Sequence, residues 1–404
     1  SLMLQADNEI IVDTNVTNIA ASNTSGVITI ANTGALNITT VDVLSGIVAT
    51  NGALSVNSSG TITAAQAVTS SSNNTTLTST AGGNIEGTAT ISGNTVTLNS
   101  AGGIGLVTDV PVNFTSAVVL TSTGNTTAGN ITVDLSDEDT VVNSNEITLT
   151  TSGTDFQTVN LSAGSWDIRA LNAGTANLVL TADTGGFIDG GAGEISANNL
   201  TLTANTAAQS IGATGGGAID VTLNGTLTAS ASNGAGGIFI SDSSDLTVAA
   251  VNAGSGTVEL SSITGSILDD ANDLTVITGT TVTLSADTTG ANSLGTLVNA
   301  INTTADSLVA SAGTGGIFID ETNALIIGGT GVQTTGASGD IAITLATGNL
   351  TLNEDITAAG SGSVSLTLNG AGAALITDNL NDDIASASGP ITITADELTL
   401  DLGN

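Results

Sequence analysis

The 404-residue sequence contains no Lys, His, Cys or Tyr, and its one basic residue is Arg169. Without His or Cys, nucleophilic catalysis of the Ser-His and Cys-His kinds is excluded. Without Cys there are no disulfides and no thiolate metal sites, a usage compatible with exported bacterial surface proteins. Against that one cation stand 36 carboxylates, for a formal net charge of −35. Nucleic acid is therefore excluded as a partner, because phosphate binding needs Lys and Arg. Anionic membrane surfaces are excluded for the same reason. Aromatics make up 1% of the chain: Phe114, Phe156, Phe187, Phe239, Phe318 and Trp166. A globular core of this size normally leans on aromatics for buried area, whereas stacked layers of Val, Ile, Leu and Ala do not. No stretch approaches the ~20 apolar residues of a membrane span. The start, SLMLQADNEIIVD, lacks a basic region and an apolar h-region, so no signal peptide is read in it.

What remains is Thr, Ser, Asn, Gly and small aliphatics. Only 9% of residues are charged and the mean hydropathy is +0.36, which argues against a solvated coil. Short aliphatic-polar-aliphatic triplets recur throughout. Examples are Val96-Thr97-Leu98, Ile147-Thr148-Leu149, Leu178-Val179-Leu180, Val258-Glu259-Leu260, Val282-Thr283-Leu284 and Leu398-Thr399-Leu400. This is period 2, the pattern of a strand with one buried face. β-Branched Thr and Val suit a pleated surface, and Gly, Asn, Asp and Ser fall between the triplets, where turns need them. Pro occurs only at Pro111 and Pro390, so nearly every backbone N–H can join a ladder. The closest approach to helical spacing is within 291–310, where Leu294, Leu297, Val298 and Ile301 fall at i, i+3, i+4 and i+7. A short helix or a surface excursion is expected there.

Longer similarity is also present. Gly236-Gly237-Ile238-Phe239-Ile240 returns as Gly315-Gly316-Ile317-Phe318-Ile319, and Gly185-Gly186-Phe187-Ile188-Asp189 is a looser copy. Such repetition is the signature of a solenoid. The expected fold is all-β, a parallel β-helix (β-solenoid) with coils of ~20 residues, hence roughly 20 turns and a rod of about 100 Å. No coil can bury its inward residues alone; stacking lets each strand pair above and below. Inward Asn or Thr would then form ladders, and Gly and Asn would take the corners. Tandem Ig-like β-sandwiches are the alternative, disfavoured by the lack of Trp, Tyr, Pro and a clear linker. Residues 1–74 are expected to form a strand-rich entry or assembly segment, and 75–404 the solenoid.

The phrases GNLTLNEDITAAGSGSVSLTLNGAGAALITD (348–378) and GTVELSSITGSILDD (256–270) resemble the repeats of filamentous-haemagglutinin-type adhesins and related giant bacterial repeat proteins. The resemblance runs from about residue 75 onward. It implies a right-handed parallel β-helix and an exported, cell-surface or extracellular life in a prokaryote. It carries over no functional residue, because the matching motifs are structural.

Enzymes that share such a scaffold use basic or paired acidic groups. Arg169, the only candidate proton acceptor of the lyase kind, is expected to pair with Asp167 or another nearby carboxylate. Paired carboxylates could serve a hydrolase, but a single Trp offers little platform for a sugar, and the chain is read as non-enzymatic. Calcium is the more credible chemistry, since hard oxygen ligands suit it. The candidates are Asp134, Asp137 and Asp139 (with Glu138); Asp269, Asp270 and Asp273; and Asp378, Asp382 and Asp383. No EF-hand loop or Gly-Gly-x-Gly-x-Asp repeat accompanies them, so no cofactor is required, and acidic solubilising loops are the competing reading. Asn-x-Ser/Thr sequons such as Asn113 and Asn130 are frequent, as composition alone would make them. Thr-x-Thr pairs such as Thr76/Thr78 and Thr201/Thr203 would suit an ice-binding face only if aligned over many coils, and along the sequence they are irregular.

Both ends read as strands. Glu9, Ile10, Ile11 and Val12 at one end, and Ile391, Ile393, Leu398 and Leu400 at the other, offer ladder edges. Strand addition there would join copies end to end. The expected role is a structural subunit of an extracellular or cell-surface filament, with itself as partner. The alternative is a stalk segment of a giant adhesin whose ligand-binding part lies elsewhere.

Overall fold

In a computed structural model the protein is all-β, with 56% of residues in strands and about 16 turns of roughly 23 residues. The coils are slightly longer and fewer than the sequence spacing suggests. The structure describes residues 1–124, 129–135, 141–152, 157–272, 276–377 and 382–399. The chain forms two compact units: Ser1–Gly185 with Gly190–Asn198, and Gly186–Asp189 with Asn199–Asn404.

In the first unit each coil contributes three short strands. One coil runs through Leu54–Ser58, Ile62–Ala64 and Val68–Ser70. The next runs through Thr75–Ser79, Ile85–Gly87 and the start of Ile91–Ser100. These strands pair in parallel with their counterparts one coil away, and the exception in this unit is a small antiparallel hairpin of Thr40–Val41 with Leu44–Ser45. Ile30, Val56, Leu77, Leu98 and Leu120 therefore stand in one register row, each at most 1% exposed. Ile62, Ile85 and Ile104 form a second row. The triplet pattern works because the middle residue points outward: Val96 and Leu98 are buried and Thr97 is half-buried. Residues 1–74 are built in the same way. Leu2–Ala6 pairs with Asn18–Asn23, and Leu54–Ser58 pairs directly with Thr75–Ser79, so no break falls at residue 75.

The inward ladder is mainly serine, not the expected Asn and Thr. Thr14, Asn32, Ser58, Ser79, Ser100 and Ser122 follow one another in register. Each of these serines closes a strand at a corner and donates to a glycine carbonyl of the adjacent coil. Ser58 Oγ reaches Gly34 O at 2.5 Å, Ser79 Oγ reaches Gly60 O at 2.8 Å, Ser100 Oγ reaches Gly83 O at 2.9 Å and Ser122 Oγ reaches Gly102 O at 2.6 Å. A short hydroxyl fits where a corner carbonyl turns inward, and it adds a donor beside those some of these carbonyls already have, such as the Gly102 N–H on Gly83 O.

The second unit has the same device at Ser386, whose hydroxyl donates to Gly362 O, and variants of it at Ser262, which donates to Ser244 O, and at Thr334, which donates to Gly339 O across its own corner. It also explains the Gly-Gly-Ile-Phe-Ile repeat. Ile238 and Ile240, like Ile317 and Ile319, point into the core. Their strands each span a preceding coil that is interrupted by a loop: Ile238 and Ile240 sit on Ile211 and Ile219, and Ile317 and Ile319 on Leu294 and Ile301. Each loop opens on a glycine with positive φ, Gly212 at +72° and Gly295 at +65°, lying against the carbonyl of Phe239 or Phe318. A side chain there would meet both strain and a backbone oxygen. In the looser copy, Phe187 itself occupies the inward position opposite Ile211.

No helix forms in 291–310. Ser293–Leu294 and Ile301–Ala312 are strands, and a six-residue loop over 295–300 leaves Leu297 and Val298 81% and 91% exposed. The helical spacing arose from two inward strand residues flanking two loop-tip residues.

Candidate functional site

The buried polar groups come first, because burial of charge needs a reason. Glu321 is 1% exposed. Its strand, Gly316–Glu321, ends there at an inward position opposite Leu345. Thr303 Oγ1 donates to one carboxyl oxygen at 2.7 Å and the Ala305 N–H to the same oxygen at 3.1 Å; the Asn323 N–H donates to the other at 3.1 Å. Burial raises its pKa above the ordinary Glu value of 4.5, with the donors from Thr303, Asn323, Ala305 and Thr322 pulling the other way. Glu86, 8% exposed, accepts the Leu106 and Val107 N–H groups at 3.3 and 3.2 Å, tying down a loop. Asp242 is fully buried and accepts the Ser244 N–H at 2.7 Å. These carboxyls cap loops and corners from within.

Arg169 does what its neighbourhood suggests. Its Nη2 lies 3.0 Å from Asp167 Oδ2, and its Nε donates to the same oxygen at 3.2 Å. Such a pairing occupies the only side-chain cation in the chain.

The calcium candidates among the described residues each engage local partners. Asp134 accepts the Ser162 hydroxyl at 3.2 Å. Asp269 and Asp270 each accept a backbone N–H two residues ahead, from Ala271 and Asn272. Asp382 is half-buried, and the Asp383 N–H donates to Asp355. Asp137, Asp139, Asp273 and Asp378 lie outside the described residues. Among the described residues no three carboxylates converge as metal ligands would. Asp287, half-buried beside a turn, has its pKa lowered by the Thr289 N–H and hydroxyl, with a smaller contribution from Asn292.

The outward pairs align better than their sequence spacing implies, but with mixed residues. Ser55/Asn57, Thr76/Thr78, Thr97/Asn99 and Val119/Thr121 are in register across four coils. Beside them a groove of about 420 Å³ is lined by hydroxyls and amides including Thr69, Ser71, Ser92 and Asn94.

The ladder edges are the remaining feature. Among the described residues Leu2–Ala6 pairs only with Asn18–Asn23, and Ile10–Thr14 only with Ile28–Asn32. Ile10 is buried, Ile11 is 67% exposed, Val12 is half-buried and Glu9 is exposed. Ile391 and Ile393 pair with Val364 and Leu366, and Leu398 with Leu375. Ile391 and Leu398 are 44% and 55% exposed, although their partners one coil away are fully buried. Leu400 lies outside the described residues. Neither a protein-family model, nor a curated protein, nor a solved structure matches the chain.

Proposed function

We propose that the chain is a non-enzymatic structural subunit of an extracellular or cell-surface filament of a prokaryote, in which solenoid coils of one copy stack on those of the next. The observation that carries this reading is the stacking of coil on coil through parallel main-chain ladders, as Leu2–Ala6 on Asn18–Asn23 and Ile10–Thr14 on Ile28–Asn32, since such a ladder can be extended by a strand of another copy. The absence of Lys, His and Cys supports a role without catalysis. A stalk segment of a larger adhesin is the second reading, favoured by the repeat phrases at 256–270 and 348–378; there, further coils of one polypeptide would cover the same edges.

The Ile10 N–H donates inward along the ladder to Val27 O. N–H groups alternate in direction along a strand, so Ile11 presents its N–H to the open edge. Ile11→Pro removes that donor and leaves the internal ladder intact. Electron microscopy of the 404-residue chain at rising concentration should show fibres that lengthen with concentration and vanish in Ile11→Pro at unchanged melting temperature. Rods that stay single at every concentration would sink the filament reading and leave the stalk.

A further inference from the structure

The carboxylates are unevenly spread. Residues 43–133 hold two of the 36, Glu86 and Asp109. Glu86 is buried against the loop N–H groups of Leu106 and Val107. Asp109 is exposed, on the loop between Ile104 and Val110. The sheet face formed by Leu54–Ser58, Thr75–Ser79, Ile91–Ser100 and Val110–Ser122 therefore carries no charge. Its outward rows are Ser55, Thr76, Thr97, Val119 and Asn57, Thr78, Asn99, Thr121.

We propose that this face is a side-by-side docking surface for a second copy of the chain. A basic partner finds no carboxylate on it, and an anionic partner finds no cation. Ser, Thr and Asn each both donate and accept hydrogen bonds, so the face is complementary to itself. A second copy also presents the same strand spacing, which lets rows meet rows across a two-fold axis. At a net charge of −35 per copy, like-charge repulsion opposes contact elsewhere along the sides. Over this band the nearest exposed carboxylate of the face's own coils is Asp109, on a loop.

Size decides the strength. Four strand layers at ~4.8 Å and five residues at ~3.3 Å give roughly 300 Å² per copy. The pair buries roughly 600 Å² of flat face, below the ~1,200 Å² of specific stable interfaces. A single pair is therefore weak and salt-dependent, and copies already joined end to end would gain from repeated contacts. The inference does not need the filament reading for its existence, only for that gain.

The test uses the full chain carrying Ile11→Pro, so that end stacking and side pairing fail separately. Sedimentation velocity across a concentration series should reveal reversible dimers that strengthen as salt screens the carboxylates. Thr97→Asp places like charges face to face and should weaken the dimer about tenfold or more. Thr121→Asp, one coil away, gives the same readout should Thr97→Asp fail to fold. Ser365→Asp, outward on Val364–Leu368 in the second unit, should leave association unchanged. Monomers at every concentration and salt, or dimers insensitive to both Thr97→Asp and Thr121→Asp, would overturn the proposal.

Discussion

Individual side chains hold this fold by filling one of three posts: inward aliphatic, inward corner hydroxyl, or outward polar. Ser100 shows the second post. Its hydroxyl lies 2.9 Å from both Gly83 O and Gly103 O and shares its single hydrogen between them, beside the Gly102 and Ile85 N–H groups these carbonyls already accept. Ser100→Ala leaves both carbonyls without that donor and should cost about 1–2 kcal/mol in chemical denaturation; an unchanged midpoint would mean water replaces the hydroxyl. Glu321 occupies an inward post with a carboxyl. Its folded pKa is raised above 4.5, so the folded chain binds this proton more tightly than the unfolded chain. Its contribution is then fully present below the ordinary Glu range and declines as pH rises through the raised value. Glu321→Gln removes that titration. The melting-temperature difference, wild type minus Glu321→Gln, should fall as pH is taken from about 4 to about 8. A difference that rises over that window would contradict the burial argument.

At the scale of the strand and loop, glycine placement decides where a coil can be interrupted. The loop over 295–300 departs from the core at Gly295 and rejoins at Ile301. Gly295→Val must hold φ near +65° against Phe318 O and the Ile301 N, and should cost about 2 kcal/mol; thermal melting in parallel with the parent measures it. Acidic turns are the other elements of interest. Asp269, Asp270 and Asp287 already accept turn N–H groups, which uses their oxygens locally. Chelation is therefore expected to leave the melting temperature unchanged. A fall on chelation, reversed by calcium, would overturn this expectation and restore the calcium reading.

For the molecule as a whole, the charge imbalance and the stacked ladders act together. At a net charge of −35 copies repel one another, and strand edges offer main-chain hydrogen bonds without charge. On the filament reading proposed above, copies should consequently add at the strand edges first, with side pairing appearing at higher concentration or salt. Light scattering with Ile11→Pro separates the two: growth lost and dimers kept is the expected pattern. Fibre growth at the parent rate in Ile11→Pro would place the joint elsewhere.

The solenoid was legible in the sequence because period-2 triplets and repeated Gly-Gly-Ile-Phe-Ile segments report local geometry, which each stretch specifies for itself. The Arg169–Asp167 pair was legible for the same reason, being two residues apart. Register was not. It depends on how long each corner is, and corner lengths vary from coil to coil. Only stacking could place Ser58, Ser79, Ser100 and Ser122 in one inward row, or align Thr76 with Thr97, although each of these serines is followed by a glycine within two or three residues along the sequence. The same cause left a short helix and a surface excursion both open over 291–310, where the structure has the excursion at 295–300: inward and outward are decided by the coil next door, which no local window contains.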